Sequence, residues 1–258
     1  MGQILRYSEF LKTYKTRGYR LNHLEDWKKY FPIKASPILA GIVADLIFDG
    51  HLQGDPIWRA DFTSKNIEEL ENFNFRLNKL FKLDCKIRAC TSNKFGKTFN
   101  AGVNCAPLAR ILLLCGVPTG QKVLTKFSLP KWIKEDKECF REFCKRMFTC
   151  EGSITYEKNR RFPRIKLDMW KWEGLFKDGT AFIEDICNHL DKYFKIKTAI
   201  SFSKSVNLRK DGLITKPIRI FISKENSVLF YKEVGFDNWK QQNLKKLLEG
   251  NMYAHTVF

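Results

Sequence analysis

Apolar positions along this chain follow two periods, and the same succession of periods occurs twice. The apolar-rich stretch from Pro37 to His51 reads as one helix that ends on a carboxylate. Ser36 suits its N-cap and Pro37 its first position, where a missing N–H costs nothing. Gly50 is placed to take the left-handed conformation that closes a helix, leaving Asp49 in the last turn beside the negative end of the helix dipole. An acid there is disfavoured by roughly 0.3–1 kcal/mol. A compensating group outside the helix is expected, most simply a bound cation.

Ile57 to Thr63 then alternates, with Trp58, Ala60 and Phe62 inward and Arg59 and Asp61 outward. Ile67 to Phe81 has the spacing of an amphipathic helix. Lys86 to Thr91 alternates with Lys86 and Arg88 outward. Thr98 to Cys105 is a strand that buries Phe99, Ala101 and Val103 and exposes Asn100 and Asn104. Pro107 to Cys115 reads as a short helix ending before Gly116. Residues 118–136 form a linker.

The second half repeats the first. A helix from Lys137 to Cys150 ends in Glu151-Gly152 and is followed by a strand from Ser153 to Tyr156. A basic turn, 157–161, leads to Arg164–Met169, where Ile165, Leu167 and Met169 alternate with Arg164, Lys166 and Asp168. A helix over Gly179–Tyr193 and a strand over Ile196–Phe202 follow, the strand with Ile196, Thr198, Ile200 and Phe202 on one face. The Arg209–Gly212 turn leads to a strand over Ile218–Ile222, then to a helix over Asn226–Val234. A last helix runs from Trp239 to Leu248 and stops at Gly250. Each unit is therefore helix, two strands, helix, two strands, helix. The predicted divisions are an N-terminal extension (1–35), a first unit (36–117), the linker (118–136) and a second unit (137–258). The extension is basic and aromatic, reads as two short helices, and is set apart as an appended arm. Its aromatics read as packing more than as base-stacking surfaces.

Lys and Arg number 46 against 28 Asp and Glu, a net charge of +18 in 258 residues. That field points to a polyanion: DNA, RNA or an acidic membrane. No run of eighteen apolar residues predicts a membrane span, and no secretion signal is evident. Eight Cys and four His lack the spacing of a zinc site; most Cys sit in apolar patterns and read as small core residues in a reducing compartment. A cytoplasmic or organellar protein is expected.

The two acid-glycine endings resemble the LAGLIDADG motif of homing endonucleases, in the single-chain form with two copies. Ile42 to Gly50 lies over the nine positions of one copy, and Cys144 to Gly152 over the other, with Glu replacing Asp. Gly116-Val117-Pro118-Thr119-Gly120-Gln121-Lys122 and Leu129-Pro130-Lys131-Trp132-Ile133 lie between them, as in the family. The resemblance covers residues 38–235 and implies an α+β fold: two pseudo-symmetric αββαββα units forming a saddle of two antiparallel sheets around a paired-helix interface. It implies that Asp49 and Glu151, with Gly50 and Cys150 beside them, hold two or three divalent ions, Mg²⁺ or Mn²⁺, over the scissile phosphates. Lys65 and Lys171 are the candidates for the lysine that the family places near each scissile phosphate. A plain surface lysine is the alternative for each. The family's small residues at the third and seventh motif positions are here Ala44 with Phe48 and Arg146 with Cys150, so a looser or rearranged helix contact is expected.

The outward side chains suit base edges: Arg59, Arg88, Lys166 and Arg219 for guanine, and Asn100 and Asn104 for adenine. Asp61, Lys86, Arg164 and Asp168 share those faces. Lys97, Lys158, Arg160, Arg161, Lys197, Lys204, Arg209 and Lys210 lie on or beside basic turns suited to phosphates. A solvated surface charge is the alternative for any one of them. The function expected is a monomeric, sequence-specific double-strand DNA endonuclease acting at a long pseudo-palindromic site, encoded in a mobile intron or free-standing. The alternative is a non-cleaving binder of the same fold, either a maturase on intron RNA or a DNA-binding regulator. No intein splicing domain is expected, since the chain lacks an N-terminal Cys and a terminal His-Asn.

Overall fold

The computed structural model describes residues 2–14, 22–90, 96–156, 162–203 and 205–254. The chain divides into two compact units: Met1–Gln121 with Pro130–Cys139, and Lys122–Leu129 with Phe140–Phe258.

The first unit opens with β1 (Gln3–Leu5), α1 (Tyr7–Leu11), α2 (Asn22–Lys28) and β2 (Ile33–Lys34), where β1 and β2 pair antiparallel. This N-terminal segment, set apart in the sequence, belongs to the first unit. Phe10 is fully buried beside Phe31, their ring centroids 5.1 Å apart, and Tyr30 Oη donates to the Phe81 carbonyl at 2.7 Å. Then follow α3 (Pro37–Ile47), β3 (Gly50–Gln53), β4 (Arg59–Ser64), α4 (Ile67–Phe81), β5 (Lys86–Cys90), β6 (Thr98–Asn104) and α5 (Ala106–Leu114). The strands form an antiparallel sheet in the order β3-β4-β6-β5. α4 packs on one face, with Phe62 against Phe73 at 5.3 Å between centroids.

Short α6 (Lys131–Lys134) leads to α7 (Lys137–Glu151). Asp136 caps α7, accepting from the backbone N–H of Glu138 at 3.0 Å and of Cys139 at 2.9 Å. The second unit continues with β7 (Gly152–Thr155), β8 (Arg164–Trp172), α8 (Phe176–Phe194), β9 (Ala199–Phe202), β10 (Asn207–Leu208), β11 (Ile214–Ile222), α9 (Asn226–Glu233) and α10 (Trp239–Ala254). Its sheet runs β10-β11-β8-β7, with β9 also paired to β11. Ile165, Leu167, Ile218 and Ile220 on one face, and Phe182, Ile183, Ile186 and Leu190 on α8, are buried.

Strand register makes the duplication explicit. Gly50 pairs with Phe62, and Phe62 with Ala101; Gly152 pairs with Leu167, and Leu167 with Ile220. In this frame Arg59 corresponds to Arg164, Asp61 to Lys166, Thr63 to Asp168, Asn100 to Arg219 and Arg88 to Ser201.

Several expectations are corrected. Trp58 lies outside β4 with φ +49° and does not face the core. In β6 only Ala101 of the expected inward trio is fully buried. Residues 196–198 are not strand, and Phe202 is 55% exposed, its ring 5.6 Å from that of Phe176 at the start of α8. α10 passes through Gly250.

Candidate nucleic-acid interface

On the first sheet, the face away from α4 carries Arg59, Asp61 and Thr63 from β4, Asn100, Gly102 and Asn104 from β6, and Lys86 and Arg88 from β5. Register places Thr63, Asn100 and Arg88 in one row, and Asp61, Gly102 and Lys86 in the next. Asn100 is the hub. Its Oδ1 accepts from Arg59 Nη2 at 3.0 Å, and its Nδ2 donates to Asp61 Oδ1 at 3.1 Å and to Thr63 Oγ1 at 2.9 Å. Arg59 Nε lies 3.1 Å from Asp61 Oδ2. The guanidinium rests over Gly102, where a Cβ would come within 2.7 Å of Arg59 Nη2. Around this floor opens a concavity of about 300 Å³ bordered by Lys86, Arg88, Asp84 and Asn104. Its edge is charged and its amide and guanidinium groups are tied to one another by hydrogen bonds, which suits it to hydrogen-bond readout.

The second sheet has a face of the same kind. Arg219 makes a bidentate contact to Asp168 through Nε and Nη2, and Lys166 Nζ lies 2.7 Å from Asp168 Oδ2. Burial pushes the Asp168 carboxyl up, but hydrogen bonds from Arg219 and Lys166 outweigh it and hold its pKa below the ordinary value. Arg164 and Arg219 lie over the Phe221 ring at 5.0 and 5.7 Å.

Both motif helices run into a strand through an acid and a glycine, Asp49-Gly50 beyond the cap of α3 and Glu151-Gly152 at the end of α7, where Glu151 is the last helical residue. All nine residues from Leu39 to Ile47 are buried, as expected for a helix apolar all round. Ser36 Oγ accepts from the Leu39 N–H at 3.2 Å. α3 stops at Ile47 with Phe48 as C-cap, so Asp49 stands one residue past the cap rather than in the last turn. Gly50 does not take the expected left-handed conformation. Its role is close approach: a Cβ there would lie 2.8 Å from both the Asp61 carbonyl oxygen and Leu46 Cα. Gly152 is seated the same way, with a Cβ only 2.3 Å from the Phe148 carbonyl oxygen. Each first strand thus starts directly on the last turn of its helix, and the acid before it, Asp49 or Glu151, is exposed.

No protein-family model matches the chain. Two curated proteins share similarity with it. The replication factor C small subunit of Methanocaldococcus jannaschii is 31% identical over 188 residues, 69% of this chain and 10% of that protein. The tRNA-splicing ligase RtcB of Methanopyrus kandleri is 26% identical over 233 residues, 84% of this chain and 23% of that protein. The chain thus spans about a tenth and about a quarter of the relatives it matches. Among solved structures, the homing endonuclease I-WcaI bound to its DNA recognition sequence matches with a TM-score of 0.53 and 15% identity, over 91% of this chain and 95% of that one. Full-length DUF199/WhiA from Thermatoga maritima matches with a TM-score of 0.51 and 12% identity, over 83% of this chain and 60% of that one. The fold is the LAGLIDADG fold.

Within that LAGLIDADG frame the departures at the small-residue positions have physical partners. Arg146 is fully buried, and its Nη1 donates to Asp237 Oδ2 at 3.1 Å. Phe48 is 7% exposed as the cap of α3. Lys65 is exposed, but Lys171 is not at a surface. It lies on the inward row with Leu167 and Met169. Its Nζ donates to the carbonyls of Lys122 at 2.6 Å and Thr125 at 2.8 Å, over the Phe127 ring at 3.8 Å. Burial pulls its pKa down to about 8, against the raising effect of Asp178. The alternation of Ile165, Leu167 and Met169 already pointed Lys171 inward.

Lys158, Arg160, Arg161 and Lys204 lie outside the described residues. Lys97 and Lys210 are exposed, Lys197 pairs with Asp191 at 2.5 Å, and Arg209 is tied to Asp211 in its own turn at 3.0 Å. Among the described residues no group of three or more His, Cys, Asp or Glu could hold a metal ion, and no helix is long and apolar enough to cross a membrane. Sequence reading missed Thr63 and Gly102, whose parts in the Arg59–Asn100 network depend on cross-strand register.

Proposed function

We propose that the chain is a sequence-specific endonuclease of double-stranded DNA that depends on divalent metal. The observation that carries this reading is the repeated frame: an exposed acid directly before a glycine seated on a motif helix, twice, each at the start of a sheet with a fixed polar face. The fold, shared with a DNA-bound homing endonuclease over nearly the whole of both chains, supports it. So does the similarity to segments of two proteins named for unrelated tasks, since it marks a self-contained module.

Asp49 and Glu151 offer exposed, hard carboxylate oxygens beside the ends of α3 and α7, which fit Mg²⁺ or Mn²⁺, while the Thr149 carbonyl in the last turn of α7 already accepts from Lys240 Nζ at 2.6 Å. The Cys150 thiol does not fit such an ion, and only its backbone carbonyl is a suitable donor. A bound ion there supplies phosphate polarisation, a more acidic water and stabilisation of the departing 3′ oxygen. The chain's own groups orient the duplex. Arg59, Arg88, Asn100, Lys166 and Arg219 address base edges, and Lys86 and Arg164 hold phosphates.

A second reading, a non-cleaving DNA or intron-RNA binder, is favoured by Arg146, whose burial against Asp237 commits a small-residue position of the motif to an ion pair. Selection of cleaved sites from a random duplex library with Mg²⁺ separates the two. A defined cleaved site, with an Asp49→Asn protein that binds it and does not cut, supports the nuclease. Tight binding without product, in Mg²⁺ and in Mn²⁺, assigns the second reading.

A further inference from the structure

Trp58 immediately precedes Arg59 and has φ +49°. A bulky residue in the left-handed region costs of order 1–3 kcal/mol and persists only where its surroundings hold it. Here the backbone N–H of Trp58 donates to the Gly54 carbonyl at 3.0 Å, and its Nε1 donates to Asp55 Oδ1 at 3.3 Å. The indole also lies under a cation, with the Arg110 guanidinium carbon 3.9 Å from its centroid. The same guanidinium lies 4.2 Å from the centroid of Tyr14 and donates through Nη1 to the Thr13 carbonyl. Tyr14 packs edge-on against buried Phe10, 5.5 Å between centroids. An unbroken series of contacts therefore runs from the N-terminal segment through Arg110 to the residue immediately before Arg59.

We propose that Arg110 is a positioning residue for base readout: stacked on Tyr14 and Trp58, it fixes the start of β4 and thereby the guanidinium of Arg59, so the N-terminal segment tunes sequence preference without touching DNA. This rests on the DNA-binding reading above. Bidentate readout demands placement within about 0.5 Å and 10–20°, and a small turn of the Arg59 backbone exceeds that. The hydrogen bonds of Trp58 go to Gly54 and Asp55 in its own turn, and the cation–π stack is the contact that links it to α5.

The test is base preference at every position of a randomised duplex library, read by binding, for the full chain and for Arg59→Ala, Arg110→Met, Arg110→Lys and Tyr14→Leu, with thermal unfolding alongside. Arg59→Ala is expected to erase a preference of about fivefold or more at one position. Arg110→Met is expected to weaken that same position at least threefold while sparing the rest. Arg110→Lys, which keeps a cation over the rings, is expected to restore part of it. Four outcomes overturn the proposal: Arg59→Ala leaves every position intact; both Arg110→Met and Tyr14→Leu keep the Arg59 position; these variants lose all positions evenly; or they lose it only as folding is lost. Should Arg110→Met fail to fold, Tyr14→Leu decides on the same criteria. A wild-type chain that selects no sequence overturns the DNA reading itself, an outcome distinct from these.

Discussion

Asp45 Oδ2 accepts a 2.6 Å hydrogen bond from Arg76 Nη2, tying motif helix α3 to α4 through a carboxylate with no exposed surface. Removing one partner of such a pair leaves a buried charge, which costs about 3–5 kcal/mol, whereas replacing both by apolar groups is often neutral. Arg76→Met is therefore expected to lower stability by about 3–5 kcal/mol in denaturant unfolding. Asp45→Leu with Arg76→Met is expected to recover most of it.

Gly50 and Gly152 have no room for a methyl group. Ala at either position forces the first strand off the helix end, and overpacking of that kind costs about 1–3 kcal/mol. Both variants are expected to lower the Tm. Because each glycine follows a candidate metal-binding acid, both are also expected to reduce cleavage more than duplex binding.

Asp168 titrates below an ordinary aspartate in the folded chain. A depressed folded pKa contributes stability that is complete above the unfolded value of 3.8 and is lost as pH falls through the folded value. A plot of Tm against pH is expected to steepen below about pH 4, and Asp168→Asn to flatten that limb.

Lys171 and Lys86 should separate in a salt titration. An exposed cation on a phosphate contributes about 0.9 to the slope of log K against log salt. Lys86→Ala is expected to reduce the slope by about that amount. Lys171→Met is expected to leave the slope unchanged and to lower stability by about 1–3 kcal/mol, because its ammonium serves the carbonyls of residues 122 and 125.

What the sequence made legible was whatever a local period encodes. The spacing of Ile67, Leu70, Phe73, Leu77 and Phe81 marks α4 end to end, and alternation in 164–169 gives the inward row of β8. Trp58 defeated the same rule because its partner, Arg110, is 52 residues away and its backbone leaves the strand. Gly50 was noticed for the wrong reason: the letter signals either a left-handed turn or a close approach, and only the position of the Asp61 carbonyl decides. The Asn100 hub was invisible because it needs the β4–β6 register, which no single segment carries. Lys171 was readable from parity but was assigned by its likeness to a family position.

The repeated frame is filled unequally. Where the first sheet presents Thr63, Asn100 and Arg88 across one row, the second presents Asp168, Arg219 and Ser201. A duplex addressed by both faces would therefore not read the same from either end. Its two halves would call for different bases, the protein would land in a single direction, and strand polarity would be written into the complex from the first contact.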